Sequence, residues 1–382
     1  MAISASRTLP RNPGIDALRG LSILLVVIHH VALRIPLGKT ALADFVPKRI
    51  LSGLSYSGYE AVFVFFVISG FLIASHTIAR WGSLASIDVR AFYVRRAARI
   101  LPCLIALVPA LAAMHWAGVP HYVIDKPGQS LGGATLSAFG LYLNWYEGRT
   151  GWLPGGWDVL WSLSIEEAFY LGFPLVCLLV RDARLLAVLL LALALSLPIT
   201  RAALDGNEIW QEKAYLPGMA AIATGVLAAL LADKRPPAWI ASCARIAGAC
   251  GLVLVWFAGT ELWRAIGNGY MLALTLSAAG LILGLHWHHA AVRRPFPGLG
   301  WLRSMGRLSY EIYLTHMFVV FAIVGAFRAA GEDMRNGFWW HLPAVLLCWL
   351  LGAAVARWFS DPAERAVRRH WLQRAPASVP AI

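Results

Sequence analysis

The sequence is poor in charge, and poorest in acid. Of 382 residues only 14% are Asp, Glu, Lys or Arg, and 20 acidic side chains stand against 33 basic ones. A soluble domain carries about 25% charged residues, so a water-facing surface along the whole chain is excluded. The five cysteines (Cys103, Cys177, Cys243, Cys250 and Cys348) contain no C-x-x-C pair, and each lies in or beside an apolar run. They read as small buried hydrophobes, which excludes a zinc ribbon or a disulfide framework. Internal repeats and low-complexity linkers are also lacking, which argues against a solenoid or a second domain. The net charge of +13 comes without a basic arm interleaved with aromatics, so nucleic acid is not a partner.

What is present is apolar. Hydrophobic residues make up 59% of the chain, and 17 Trp and 11 Tyr suit the aromatic belts of a bilayer protein. Apolar segments recur at 18–35, 60–79, 100–118, 133–146, 159–180, 184–203, 215–232, 239–258, 270–287, 309–327 and 341–359. The fourth has about 14 residues, too few to cross a hydrocarbon core comfortably. If it does not cross and the N-terminus is cytoplasmic, 22 Lys and Arg lie inside and 11 outside; if it crosses, 14 lie inside and 19 outside. The positive-inside rule selects the first arrangement.

The expectation is therefore an all-α polytopic membrane protein of about ten transmembrane helices with both termini cytoplasmic, and residues 131–147 on or dipping into the outer face. Arg7 and Arg11 precede an apolar run that is too long, and too charged at its entrance, for a cleaved signal; it reads as an uncleaved first helix. The expected organisation is a cytoplasmic segment 1–10, a transmembrane domain 11–360 and a cytoplasmic tail 361–382, disordered from about residue 371.

The first span, GIDALRGLSILLVVIHH, carries Asp16, Arg19, His29 and His30. On an ideal helix Arg19 and His30 are three turns plus about 20° apart, sharing a face at a separation of about 16 Å. Asp16 falls within about 40° of that face, whereas His29 points about 100° away. One polar stripe thus runs from the mouth of the helix to His30, placed near mid-bilayer. Ionisable groups in a bilayer cost about 2.5–3.5 kcal/mol each and face a cavity, a partner or a substrate path. His29 reads as a packing neighbour.

This stretch resembles the opening of the acyltransferase-3 family, in which Arg or Lys is separated from His by ten intervening residues; the pattern selects Arg19 and His30, not His29. Four further stretches resemble family signatures in the same order: FFVISGFLI (65–73, with Ser69), FYVRRAARILP (92–102), WDVLWSLSIEEAFYLGFP (157–174) and LSYEIYLTHMFV (308–319). Two positions depart from the pattern: Phe63 stands at a usually acidic position, with Glu60 nearby, and Ala168 stands where Gln is usual. The resemblance, covering about residues 11–360, implies a bacterial inner-membrane enzyme. Such an enzyme passes an acyl group, usually acetyl, from cytoplasmic acyl-CoA (acetyl-CoA) to a hydroxyl of an envelope or exported carbohydrate or lipid-linked glycan.

Each motif has a physical reading beside this one. Arg96 and Arg99 share a helix face at i, i+3 and can fork onto CoA phosphates; Arg95 beside them fits lipid-headgroup anchoring. His30 can serve as general base or as a transient acyl acceptor. Arg19 can position the donor or pair with Asp16. Glu166, taken to lie at the depth of His30, can hold its imidazole, with Glu167 beside it. Ser309, Tyr313 and His316 lie on one side of their helix, and Tyr310 and His316 match the late signature. The run HWHH (286–289) lacks a nearby carboxylate or a distant Cys/His set, so no metal is expected. A transporter of a lipid-linked glycan or acyl group without CoA chemistry is the competing class, although no internal repeat supports it.

Overall fold

The computed structural model describes residues 11–292 and 297–372; the N-terminal segment 1–10 and the tail from 373 lie outside the described residues. Among the described residues, ten stretches are long and apolar enough to cross a membrane. Their helices are α1 (Pro13–Ala32), α2 (Gly58–Trp81), α3 (Val89–Trp116), α4 (Trp161–Leu179), α5 (Ala183–Leu195), α6 (Tyr215–Leu231), α7 (Ala238–Ile266), α8 (Gly269–Val292), α9 (Ser309–Ala329) and α10 (His341–Val355). No strand occurs among the described residues. Ten spans is the number read from the sequence.

The ambiguous segment 133–146 resolves into two short helices, Leu131–Phe139 and Leu143–Thr150. Neither exceeds about 14 Å in length, so neither crosses. Gly140 and Leu141, the latter at φ 60°, turn the chain between them.

Local chemistry sets where α1 begins. The Asn12 side chain caps its first turn, accepting from the Gly14 and Ile15 amides at 2.9 and 3.3 Å, and Pro13 occupies the first helical position. The helix therefore starts five residues before the apolar segment suggested, and His30, expected near mid-bilayer, falls in its last turn. We call the end of the bundle where α1 starts the near face, and the opposite end the far face.

Glycines allow two close crossings. A Cβ on Gly225 of α6 would stand 1.9 Å from the Val67 carbonyl oxygen of α2, and one on Gly70 of α2 would stand 1.9 Å from that of Ile222. Gly20 of α1 and Gly306 of the helix Gly300–Arg307 meet in the same way. Without lipid-excluding hydrophobic force, such backbone proximity is what membrane helices pack by. The core around α1, α2, α6 and α9 is filled by Phe63, Phe66, Phe71, Ile23 and their neighbours.

Residues 361–372, placed in the tail by the sequence, form a further helix, α11 (Asp361–Leu372), lying against α3. Arg11 and α11 border the same cavity, so both ends of the described chain meet at the near face.

Candidate active site

A cavity of about 750 Å³ opens at the near face between α1, α2, α3, α4, α9 and α11. Its walls hold eight arginines (11, 19, 80, 95, 96, 99, 307 and 368) and five carboxylates (166, 167, 311, 361 and 364). Much of the positive charge is already matched. Arg11 pairs with Asp16 at 2.9 Å. Arg99 reaches Glu311 at 2.9 Å and Glu364 at 3.4 Å, and stacks over Tyr310. Arg368 pairs with Glu364. Among the described residues, Arg19, Arg80, Arg95, Arg96 and Arg307 form no ion pair with a carboxylate.

The sequence-derived residues separate into two groups. Arg19, Ser69, Arg96, Arg99, Glu166, Glu167, Tyr310 and Tyr313 all line this cavity. Arg19 does not hold Asp16; it donates to Ser309 Oγ at 2.8 Å, while Asp16 turns to Arg11. Arg96 lies over the ring of Tyr170 at 4.9 Å. Tyr170 donates to Glu166 Oε1 at 2.5 Å, and Ser69 bonds both Glu166 and Tyr170. The Glu167 carboxylate is buried with Oε1 unpartnered. Tyr310 donates to the Ile100 carbonyl at 3.0 Å.

His30 and His316 form the second group, beyond the end of the cavity. Their ring centroids are 5.0 Å apart. Tyr313, one turn before His316, contacts Ser162 Oγ at 2.7 Å and donates to the Val159 carbonyl at 2.8 Å, so this pair stands between the cavity and the histidines. The Tyr313 carbonyl lies 2.6 Å from His316 Nδ1. A carbonyl only accepts, so Nδ1 carries the proton and Nε2 presents its lone pair; that nitrogen is buried without a partner. His29 faces elsewhere, its Nδ1 3.1 Å from the Ser55 carbonyl and its ring against Gly58.

Glu166 does not reach His30. Ser69, its partner, lies eleven residues along α2 from Gly58, which abuts His29. That is about 16 Å towards the near face, the depth of Arg19. The expected depth match arose from taking α1 to begin at residue 18, which set His30 twelve residues in from its start; α1 begins at Pro13.

Around the histidines the far face is tied together by charge. Arg34 donates to the His30 carbonyl at 3.2 Å and lies over Phe321. Burial draws its guanidinium below the ordinary value, opposed by Asp158. Lys213, 1% exposed, bonds Glu147 Oε2 at 2.7 Å and also Asp158, with the Trp152 ring 4.0 Å away. Burial pushes the Glu147 carboxyl up, with Asp158 adding to this and Lys213 opposing it. Sequence reasoning missed Glu311, Tyr170, Arg34 and this cluster. The rule that drew attention to Arg19, a charge inside an apolar run, also applies to Glu311. Among the described residues no group of three or more His, Cys, Asp or Glu is gathered to hold a metal ion.

Comparison with known proteins agrees with this architecture. The peptidoglycan O-acetyltransferase OatA of Listeria monocytogenes is 27% identical over 218 residues, covering 54% of this chain and 29% of that protein. The O-acetyltransferase OatA of Staphylococcus aureus is 25% identical over 346 residues, covering 84% of this chain and 52% of that protein. A putative peptidoglycan O-acetyltransferase, YrhL of Bacillus subtilis, is 26% identical over 370 residues, covering 88% and 52%. The chain thus spans about half the length of the last two relatives, and less of the first. No solved structure matches it. The family model described as an acyltransferase domain matches residues 12–358, nearly the whole of the ten-span bundle, and the chain belongs to the acyltransferase-3 family.

Proposed function

We propose that the protein is a plasma-membrane O-acetyltransferase with its near face in the cytoplasm. It takes acetyl from acetyl-CoA and esterifies a hydroxyl of a cell-envelope glycan on the far side. The observation that carries this reading is the arginine-lined cavity ending one helical turn from the His30–His316 pair. The excess of arginine over carboxylate suits a donor with several phosphates, and the volume lies within the range of small-molecule sites. The names of the relatives support acetyl as the group and a peptidoglycan-like glycan as the acceptor class.

In this reading Arg96, free of carboxylates and backed by Tyr170, takes a donor phosphate, and Arg80 and Arg95 add positive potential. Arg19, held by Ser309, positions the pantetheine arm towards Tyr313. The thioester carbonyl is presented at the Tyr313–Ser162 partition. The acceptor hydroxyl attacks it, the imidazole pair takes the hydroxyl proton, the new C–O bond forms, and the C–S bond breaks. The CoA sulfur leaves as thiolate and recovers that proton. His30 is the base that meets the hydroxyl, and His316 supports it through its fixed tautomer.

The test is to supply membranes containing the protein with labelled acetyl-CoA and a soluble glycan, measuring free CoA and ester-linked label. Stoichiometric release and transfer are expected, with both lost in His30→Ala. A well-folded His30→Ala protein that still transfers at the wild-type rate sinks the catalytic assignment. Glycan movement without CoA release would instead favour a transporter.

A further inference from the structure

A second cavity, of about 600 Å³, opens at the far face, between the helix Lys48–Tyr56 and the far end of α7. Its opening follows from a break in α7: Ala258 has φ −131° and ψ 22°, outside the helical range. Carbonyls beside the break accept hydrogen bonds from the opposite wall. Ser57 Oγ donates to the Trp256 carbonyl at 3.3 Å and Arg49 Nε to that of Phe257 at 2.5 Å. The kink is thus fastened, not frayed.

The cleft mixes flat aromatic faces with a few hydrogen-bonding groups. Tyr56 and Trp263 are about half exposed, while Trp256 is 8% exposed. Two buried polar atoms of its wall residues have no partner among the described residues: Glu60 Oε2, an acceptor, and Trp256 Nε1, a donor. Buried polar groups are nearly always satisfied, so a ligand hydroxyl set is a natural complement. The charged residues of the wall are Lys48, Arg49, Glu60 and Glu261, two of each sign, with Arg49 and Glu261 3.5 Å apart. A polyanionic donor has nothing to gain there, and an acyl chain would bury the Glu60 carboxylate against hydrocarbon. A neutral ring with apolar C–H faces and an equatorial girdle of hydroxyls meets both demands.

We propose that this cleft binds a pyranose ring of the glycan acceptor, beside the residue that is acetylated. The cleft is coupled to the chemistry by position. Tyr56, on its wall, stands edge-on to His29 at 6.5 Å between centroids, and His29 in turn to His30 at 5.2 Å. A saccharide held there directs the next residue of the chain towards the histidine pair. The consequence for catalysis rests on the acyl-transfer reading; the ligand class rests on the cleft alone.

The experiment uses full-length protein in nanodiscs, with tetra-N-acetylchitotetraose as probe, Trp256→Phe and Glu60→Gln as variants, and calorimetry beside the transfer assay. Trp256→Phe keeps an aromatic face and removes the orphan N–H together with part of the indole ring. Each variant is expected to weaken probe binding about tenfold and raise the acceptor KM to match, while the acetyl-CoA KM stays where it was. Wild type that fails to bind the probe, or variants that bind it equally well, overturn the proposal. Displacement of the probe by phosphatidylglycerol but not by other sugars overturns it in favour of a lipid site. A protein that binds the probe through these residues yet never consumes acetyl-CoA upholds the cleft and refutes the acyl-transfer reading.

Discussion

The imidazoles of His30 and His316 lie 5.0 Å apart although they come from the first and ninth membrane helices. His30 has no protein hydrogen bond to its ring among the described residues, whereas His316 is locked through Nδ1 to the Tyr313 carbonyl. The two are therefore not interchangeable. Replacing His30 by Ala removes the proposed base and should lower kcat by about 10²- to 10⁴-fold. His316→Gln should lower it less, by about tenfold, because His30 remains. His29→Gln, which disturbs the bond to the Ser55 carbonyl and the ring's packing on Gly58 and Tyr56 but leaves His30 and His316 in place, should stay within a few-fold of wild type. The three rates, measured on protein of equal thermal stability, rank the histidines; equal losses at His29 and His30 would contradict the geometry.

Glu166 offers a sharper test, because two roles for it predict different pH behaviour. A carboxylate beside a catalytic imidazole raises the imidazole pKa, so removing it shifts the acidic limb of the kcat profile to lower pH by about a unit. The structure instead ties Glu166 to Ser69 and Tyr170 within the near-face cavity, where the proposed donor would sit. Glu166→Gln should accordingly leave the acidic limb in place and raise the acetyl-CoA KM. A pH–rate series on this variant decides between the two.

The sequence made the fold legible because span length and Lys/Arg asymmetry are one-dimensional properties. The non-crossing of residues 131–150 needed only its length and a charge count. The candidate site was half legible. Helical phase placed Arg19 and His30 on one face, and family signatures flagged His316 and Tyr313. What failed was depth: the Asn12–Pro13 cap starts α1 earlier than hydropathy does, moving His30 to the last turn and parting it from Glu166. Partnership failed as well. Asp16 and Arg19 have the spacing of an ion pair, yet Ser309 and Arg11, from outside that turn, claim them. Tertiary contacts of that kind leave no periodic trace.

Arg96 and Arg99 looked equivalent by spacing, and their environments separate them. Arg96 stacks on Tyr170 without a carboxylate partner, whereas Arg99 neutralises Glu311, which is 1% exposed. Arg96→Ala should raise the acetyl-CoA KM about tenfold or more with little change in thermal stability, since a charge-assisted bond to phosphate is worth about 1.5–3 kcal/mol. Arg99→Ala leaves a buried carboxylate unpaired, which costs about 3–5 kcal/mol, and should show first as a lowered melting temperature. Steady-state kinetics and thermal unfolding of both variants in detergent separate binding from structure.

The Glu147–Lys213–Asp158 cluster joins the short far-face helix Leu143–Thr150 to the short helices that lead into α4 and α6. Lys213→Met leaves Glu147, fully buried, without its cation and should cost about 3–5 kcal/mol. The double variant Lys213→Met/Glu147→Gln removes the uncompensated charge and should recover part of the loss. Unfolding temperatures of the single and double variants measure this coupling. If the two losses simply add, the cluster is not a coupled unit.

The crossing of α2 and α6 places the strictest limit on substitution. A Cβ on Gly225 would meet the Val67 carbonyl oxygen at 1.9 Å, and backbone cannot rotate out of the way as a side chain can. Gly225→Ala must therefore push the helices apart, against a contact shared with Gly70 from the opposite side. Overpacking a tight core costs about 1–3 kcal/mol when side chains can adjust, and this site should exceed that. Because α2 also carries Ser69, the separation would shift the floor on which Glu166 and Tyr170 are set. The expected result is a lowered unfolding temperature together with a raised acetyl-CoA KM. Gly172→Ala on α4, where a Cβ meets no atom within 4 Å, should change neither. Parallel unfolding and kinetic measurements on the two alanine variants test whether helix approach, rather than glycine content as such, sustains the donor site.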